Sequence, residues 1–325
     1  MVTFPVARGD GRVTTQSRPA PDAERRIEHD VALDLRRTLG IHLRGRGDPQ
    51  MRLEVSGSTW RATRTPDGPV TLLVESGPGV VRGRAWGPGS ALALERLAEL
   101  VGLDDDPSAL VPRHEAVARA VRRAPGLRLG RTGAVHEALV PAILEQKITG
   151  DEARRTWRAM VARYGEPAPG GFGLRLPPAP EVLASLPYYA FHPLGLERRR
   201  AEVVRAVSRD AARLERLGEA ARTPEGREAA YRALRSFPGI GAWTAAEVGL
   251  RAFGDPDAVS VGDFHIPSMV AWALAGERRG TDERMLELLE PYRGQRGRVT
   301  RLLELGGDGP GRRGPRMPSR DIAAI

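Results

Sequence analysis

The residues best placed to do chemistry lie close together in the chain. Pro238-Gly239-Ile240-Gly241 interrupts an apolar helical pattern (Ala230, Leu234, Phe237) and is followed at once by another (Trp243, Ala246, Leu250, Phe253). This spacing predicts a helix-hairpin-helix over 227–253. Its glycines permit positive φ and close backbone approach to a phosphate. The amides opening the second helix, that of Thr244 included, would point at that phosphate. Ile240 would plug the turn between the helices. An ordinary tight turn between helices also favours Pro and Gly. Contacts of this kind position a protein on a nucleic-acid backbone without reading its sequence. Farther on comes Val259-Ser260-Val261-Gly262-Asp263-Phe264-His265-Ile266-Pro267. Asp263 stands where another helix begins and where the helix dipole favours negative charge. A carboxylate fixed there can stabilise developing positive charge or orient and deprotonate water. Asp is also a common helix N-cap, and the two roles are compatible.

A third candidate comes from composition. Of the 50 basic residues of this 325-residue chain, all but Lys147 are arginine. The net charge of +9 points to a polyanionic partner, nucleic acid above all, although arginine-rich composition can also follow codon usage. Cysteine is absent, which excludes disulfides, thiolate zinc sites and iron–sulfur clusters. The histidines are scattered without an i,i+4 pair, so no metal site is expected. Apolar stretches are short and interrupted by charge, and no secretory h-region opens the chain. The expected setting is cytoplasmic and nucleoid-associated, away from membranes.

The elements that must position these residues are mostly helical. Residues 1–22 read as a flexible arm and 23–108 as an N-terminal α/β sheet domain. Val31 to Leu39 suggest a short helix or strand. Short apolar runs between Met51 and Arg84, punctuated by Ser-Gly, Pro-Asp-Gly and Gly-Pro-Gly, predict a small antiparallel sheet. A helix is expected over 89–103, and Asp104-Asp105-Asp106-Pro107 marks a boundary. Beyond it, helical patterns recur at about 109–123, 134–147, 151–164, 197–217, 226–237, 243–253, 267–275, 281–290 and 295–305. Thr149 and Glu152 have capping-box spacing. Residues 306–325 read as a basic Gly/Pro-rich tail. The fold class is α+β, a small antiparallel sheet domain followed by an all-α body over 109–305.

The hairpin, a short helix and then Val-Gly-Asp before a further helix resemble the helix-hairpin-helix-GPD superfamily of base-excision DNA glycosylases. The branch resembled is bacterial 3-methyladenine DNA glycosylase II, over roughly residues 30–305. The resemblance implies base flipping from damaged double-stranded DNA by a monomer. It assigns catalysis to Asp263, facing an oxocarbenium-like sugar. At position 243, where bifunctional members offer a lysine, this chain has Trp243, as the alkylation-repair branch does, which implies simple hydrolysis of alkylated, 3-methyladenine-like bases. Pro238, Gly239, Ile240, Gly241 and Thr244 would meet the DNA backbone. Gln146 and Lys147 fall at the wedge that fills the lesion gap, with Lys147 in place of an apolar side chain. Trp243, Phe264, Tyr189 and Glu247 are pocket candidates, with Tyr188 and Tyr292 in reserve. Glu247 stands where the branch has an aromatic; it forms either an i,i+4 surface pair with Arg251 or a hydrogen bond to a base edge, the surface pair being preferred. His265 is read as capping or packing. Arg198, Arg199 and Arg200 either touch the DNA backbone or form a solvated face. No cofactor is required, and a monovalent cation at the hairpin is implied. The alternatives are a glycosylase/AP lyase of different damage spectrum using Lys147, or a non-catalytic helix-hairpin-helix DNA-binding protein.

Overall fold

The computed structural model describes residues 4–6, 14–16, 19–307 and 309–310. The chain opens with β1 (Phe4–Val6) antiparallel to β2 (Thr14–Gln16), so part of the segment expected as an arm is paired backbone. Most of the expected tail lies outside the described residues. Five strands then form one antiparallel sheet in the order β3-β7-β6-β5-β4. They are β3 (Ala23–Glu28), β4 (Met51–Leu53), β5 (Thr59–Thr65), β6 (Gly68–Gly77) and β7 (Val80–Trp86). Alternation of side chains divides the sheet's two faces. Val70, Leu72, Val74, Val81 and Ala85 pack under α1 (Leu35–Leu39), α2 (Ser90–Glu95) and α3 (Leu97–Leu100). A Cβ on Gly83 would lie 2.7 Å from methyls of Leu94 and Leu97, so its absence lets these helices settle on the strand. The opposite face carries Trp60 and Trp86, stacked at 5.6 Å, and is closed by Phe172, Leu174 and Leu176 from the helical body.

The body runs from α4 (Glu115–Arg123) through α5 (Val135–Leu144), α6 (Gly150–Tyr164), α7 (Pro180–Ser185), α8 (Arg198–Arg209), α9 (Ala211–Ala220), α10 (Pro224–Arg235) and α11 (Ala242–Val248) to α12 (Ile266–Ala275), α13 (Asp282–Leu289) and α14 (Arg296–Gly306). The long helix expected over 197–217 is broken at Asp210 into α8 and α9, and α7 went unread. A π-helical turn, Gly249–Phe253, follows α11. The capping box at Thr149 and Glu152 is formed and starts α6. No helix among the described residues is long and apolar enough to cross a membrane.

The body has two cores. One joins α5, α6, α8, α9, α10 and α11 around Leu139, Ile143, Trp157, Phe191, Val204 and Leu234. The other brings α4 against α12, α13 and α14 through Val117, Val270, Met285, Leu289 and Val299. The segment 254–265 crosses from one core to the other and carries Asp263. Arg227 (3.0 Å) and Tyr231 (2.6 Å) pin Asp255 at the start of this crossing, while Arg296 makes paired bonds of 2.8 and 2.5 Å to Asp257. The sheet domain is locked to α5 by Glu137, which accepts from Gln50 Nε2 (2.6 Å), Arg61 (2.6 Å) and Thr63 Oγ1 (2.5 Å).

Candidate active site and nucleic-acid interface

The hairpin forms as expected, but its two glycines do different work. Ile240 N–H donates to the Phe237 carbonyl at 3.0 Å and closes the turn, and the Ile240 side chain is 5% exposed within the first core. Gly239 has φ 92°, and a Cβ there would also lie 2.6 Å from Val203 Cγ2 on α8. Gly241 has φ −96°, an ordinary value, and a Cβ on it would meet nothing within 4 Å. Only Gly239 therefore supplies the left-handed backbone, whereas Gly241 leaves the outer surface of the turn bare. Pro238, Gly239 and Gly241 are exposed.

Two residues expected at the DNA make side-chain contacts inside the protein. The Thr244 side chain is buried, and its Oγ1 accepts from Gln146 Nε2 at 2.8 Å. Gln146 Nε2 also donates to the Gly239 carbonyl at 3.0 Å. The Thr244 side chain is thus turned inward, so any contact it makes with a phosphate runs through its main-chain N–H, and the α5–α6 turn is braced against the hairpin by the Gln146 amide. Lys147 follows it, exposed and at φ 57°, the non-glycine residue with positive φ among the described residues. The brace and the left-handed turn together set Lys147 on the surface beside the hairpin.

Asp263 is held by groups from two helices. Its Oδ1 accepts from the main-chain N–H of His265 (2.7 Å) and Ile266 (2.9 Å), capping α12. Its Oδ2 accepts from Trp243 Nε1 at 3.0 Å, one residue into α11 beyond the hairpin. Capping and attachment to the hairpin therefore coexist at one carboxylate. Gly262, at φ 91°, turns the chain just before it, and its N–H donates to Asp282 Oδ1 at 3.0 Å. Phe264 is 88% exposed, edge-on to His265, and Tyr189 is 65% exposed on the 3-10 turn Tyr188–Leu194. Tyr189 sits against Tyr188, whose ring lies 4.5 Å under the Arg198 guanidinium. Tyr292 is buried and bonded to His114 at 2.7 Å. Arg198 and Arg199 are exposed, while Arg200 is buried and donates to the Leu144 carbonyl.

A cavity of about 250 Å³ opens where the two cores and the sheet domain meet. Ser260 and Ile266, on either side of Asp263, line it, and so does Glu247, one helical turn beyond Trp243. The preferred surface reading of Glu247 is thereby corrected. The i,i+4 pair with Arg251 exists, at 2.5 Å, but it is buried, and Glu247 also accepts from Ser260 Oγ at 2.6 Å. Burial alone would raise this carboxyl; Arg251, the Ser260 hydroxyl and Arg44 outweigh it and hold the group below the ordinary carboxylate range. Arg44, from the sheet domain, pairs with Glu145 at 3.0 Å, and Arg301 and Glu304 of α14 complete the wall. Beneath it, His42 is half-buried, and its Nε2 is enclosed with no partner. Burial first, then the guanidiniums of Arg61, Arg251, Arg44 and Arg301, keep it well below the usual imidazole range, so it is neutral. Arg44, Ser260, Arg301 and His42 went unread in the sequence. Ser260 lay inside the motif that carries Asp263, whereas Arg44 and Arg301 reach the cavity only through tertiary packing. No group of three acidic or histidine side chains among the described residues could hold a metal ion.

A family model described as HhH-GPD superfamily base excision DNA repair protein matches residues 140–293, which include the hairpin, Trp243, Glu247 and Asp263. The probable bifunctional transcriptional activator/DNA repair enzyme AlkA of Mycobacterium tuberculosis is 30% identical over 178 residues, 53% of this chain and 34% of that protein. The match thus spans about a third of that relative's length. Among solved structures, the 3-methyladenine DNA-glycosylase of Archaeoglobus fulgidus superposes with a TM-score of 0.70 at 21% identity, covering 86% of this chain and 97% of its own. The Clostridium acetobutylicum 8-oxoguanine glycosylase/lyase, in complex with double-stranded DNA containing cytosine opposite 8-oxoG, superposes at 0.65 with 13% identity, covering 88% and 97%. Residues 140–293, which hold the hairpin and the aspartate that follows it, are thus the part of the chain similar to the HhH-GPD superfamily of base excision DNA repair proteins.

Proposed function

We propose that the chain is a monofunctional DNA glycosylase that hydrolyses the N-glycosidic bond of damaged purines flipped from double-stranded DNA, 3-methyladenine-like bases among them. The observation that carries this reading is the 3.0 Å bond from Trp243 Nε1 to Asp263, which fixes a carboxylate to the helix that leaves the hairpin. The hairpin's bare outer surface at Gly241 takes the DNA backbone, and the carboxylate, pre-set by three N–H donors, faces the sugar. As the C1′–N bond breaks, the base departs with the bonding electrons and positive charge grows on C1′. Asp263 stabilises that charge without reorganisation. Water then adds to C1′ and gives its proton to the carboxylate. Position 243 holds an indole, which has no amine to form an imine, and this supports hydrolysis over lyase chemistry. A monovalent cation, if bound, would be held by main-chain carbonyls of the hairpin and would add positive charge for the phosphate. The printed names of AlkA and of the 3-methyladenine glycosylase support alkylated bases among the substrates.

The test is base release from alkylated and single-lesion duplexes by wild type and Asp263→Asn. Release by wild type and its loss in the variant are expected. Equal activity would remove Asp263 from the mechanism, and no release from any damaged duplex would favour a non-catalytic DNA-binding protein.

A further inference from the structure

A second cavity, of about 680 Å³, lies between the sheet domain and the body at the opening turn of α5. The ten residues of α5 separate it by about 15 Å from the turn that carries Gln146 and Lys147. Its walls are stiff. Pro66 and Pro69, about the β5–β6 turn, and Pro177, Pro178 and Pro180, at the entry to α7, line it, each with φ fixed by its ring. Arg64 Nε donates to the Pro177 carbonyl at 3.1 Å and ties the two groups together. Trp157 and Leu183 add buried apolar surface from the first core.

Most charged side chains around this cavity are matched. Glu137 is filled by Gln50, Arg61 and Thr63, Arg96 pairs with Glu219 at 2.7 Å, and Arg64 with Glu166 at 3.3 Å. His136 and Glu215, which also line it, are not. His136 is 6% exposed; its Nε2 meets the Ser208 hydroxyl at 2.9 Å, and its Nδ1 has no partner among the described residues. One oxygen of Glu215 accepts from the His136 main-chain N–H at 3.0 Å, and no described side chain bonds this carboxyl. Burial pushes Glu215 up to about 7 and brings His136 down to about 4, so near pH 7 the imidazole is uncharged and the carboxyl divides between its two forms. Mostly apolar, pre-formed walls, a few convergent polar groups and a volume within about 300–1,000 Å³ are the marks of a small-molecule site.

The polar pair selects the ligand. A carboxyl bonds two neighbouring groups at once, and an amino-substituted nitrogen heterocycle presents such a pair, an exocyclic N–H beside a ring nitrogen. The acid form donates O–H to the ring nitrogen, the ionised form accepts from the protonated ring, and either form accepts the amino N–H. His136 Nδ1 accepts the second amino N–H when Nε2–H points to Ser208. An anion would meet the Glu215 carboxyl with no bonded cation beside it; the unmatched guanidinium of the lining, Arg216, is exposed and bonds the Ala212 carbonyl of its own helix. We propose that this cavity is a binding site, separate from the reaction site, for flat amino-substituted nitrogen heterocycles of the aminopyridine or adenine type, held by Glu215 and His136 between the proline walls.

The experiment is a ligand-observed NMR titration of the full chain at pH 7 with 2-aminopyridine, adenine and benzoate. The two amino heterocycles should bind with Kd below about 1 mM, and benzoate at least about tenfold more weakly. Ala212→Trp, at an exposed position of α9 that lines the cavity, fills it without altering either polar group and should weaken both heterocycles at least about tenfold. Glu215→Leu, which removes the carboxyl, should do the same, and thermal unfolding checks that each variant is folded. Binding of neither heterocycle, equal affinity for benzoate, or binding unchanged in either folded variant overturns the proposal; survival in Ala212→Trp in particular would place the heterocycles elsewhere on the protein.

Discussion

Asp263→Ser separates the capping role of this residue from its chemical one. Serine is about as good an N-cap as aspartate, so the bonds now given by His265 and Ile266 N–H can be kept at a cost of a few tenths of a kcal/mol. The loss is the charge-assisted bond from Trp243 Nε1, about 1.5–3 kcal/mol when buried, and nearer the lower figure here because Trp243 is half-buried. Against a total stability of about 5–15 kcal/mol, the variant remains folded, with a melting temperature lowered by a few degrees. Its catalytic loss should be far larger. Removing one preorganised charge-stabilising group costs about 10²–10³-fold in rate, or about 2.7–4 kcal/mol. Single-turnover base release at saturating enzyme measures this directly, with thermal unfolding and affinity for undamaged duplex as controls. Asp263→Asn is the complementary variant: its single acceptor oxygen can serve the two main-chain donors, but its amide nitrogen then confronts the Trp243 N–H donor. If Asp263→Ser keeps activity within about threefold of wild type while remaining folded, the carboxylate is a cap and nothing more.

Other consequences are readable at single positions. Gly241→Ala should leave stability unchanged, since its Cβ meets nothing, yet weaken duplex binding. Gly239→Ala, strained by φ and pressed on Val203, should lose about 1–3 kcal/mol of stability by denaturant titration. Lys147→Gly relieves a left-handed backbone worth about 1 kcal/mol and should raise the denaturation midpoint slightly, and borohydride should trap no wild-type adduct on abasic DNA; an adduct lost in Lys147→Ala would establish lyase chemistry. Burial pushes Glu215 up to about 7, and burial brings His136 down to about 4. The Glu215 carboxyl, raised above its unfolded value of 4.5, costs stability as pH rises from about 4.5 to 7; His136, lowered from 6.5, costs stability as pH falls from about 6.5 to 4. The two slopes oppose each other, so Glu215→Gln should uncover the histidine's, a loss of about 3 kcal/mol between pH 6.5 and 4 by denaturant titration at each pH.

Most of the fold was legible because its signals are local. Turn punctuation marked β4 to β7, the 3.6-residue period marked the body helices, and Pro-Gly-Ile-Gly marked the hairpin. β3 was missed because Ala23–Glu28 is an edge strand, AERRIE, whose mainly exposed charged residues show little apolar alternation. The break at Asp210 was missed because Val207, Ala211 and Leu214 keep a helical spacing across it, and α7 because its single fully buried anchor, Leu183, sets no period.

The site divided along a different line. The hairpin and the place of Asp263 at a helix start were legible because a local motif sets them, whereas the bond that ties Trp243 to Asp263 across twenty positions was not. The contact between Gln146 and Thr244 was not legible either, since a side-chain amide that braces a turn from another helix leaves the same letters as one that enters DNA. Glu247 is the sharpest instance. A Glu–Arg pair at i,i+4 has one sequence signature whether it faces water or a cavity, and its surroundings come from Arg44, about two hundred positions earlier, and Arg301, fifty later. Exposed, such a pair contributes a few tenths of a kcal/mol. Buried, removing one partner costs about 3–5 kcal/mol, so Glu247→Ala, which strands the Arg251 guanidinium, should cost several-fold more stability than Arg232→Ala, which breaks the exposed i,i+4 pair with Glu228 on α10. Equal losses in denaturant titration would return Glu247 to the surface and take the charged wall of the cavity with it.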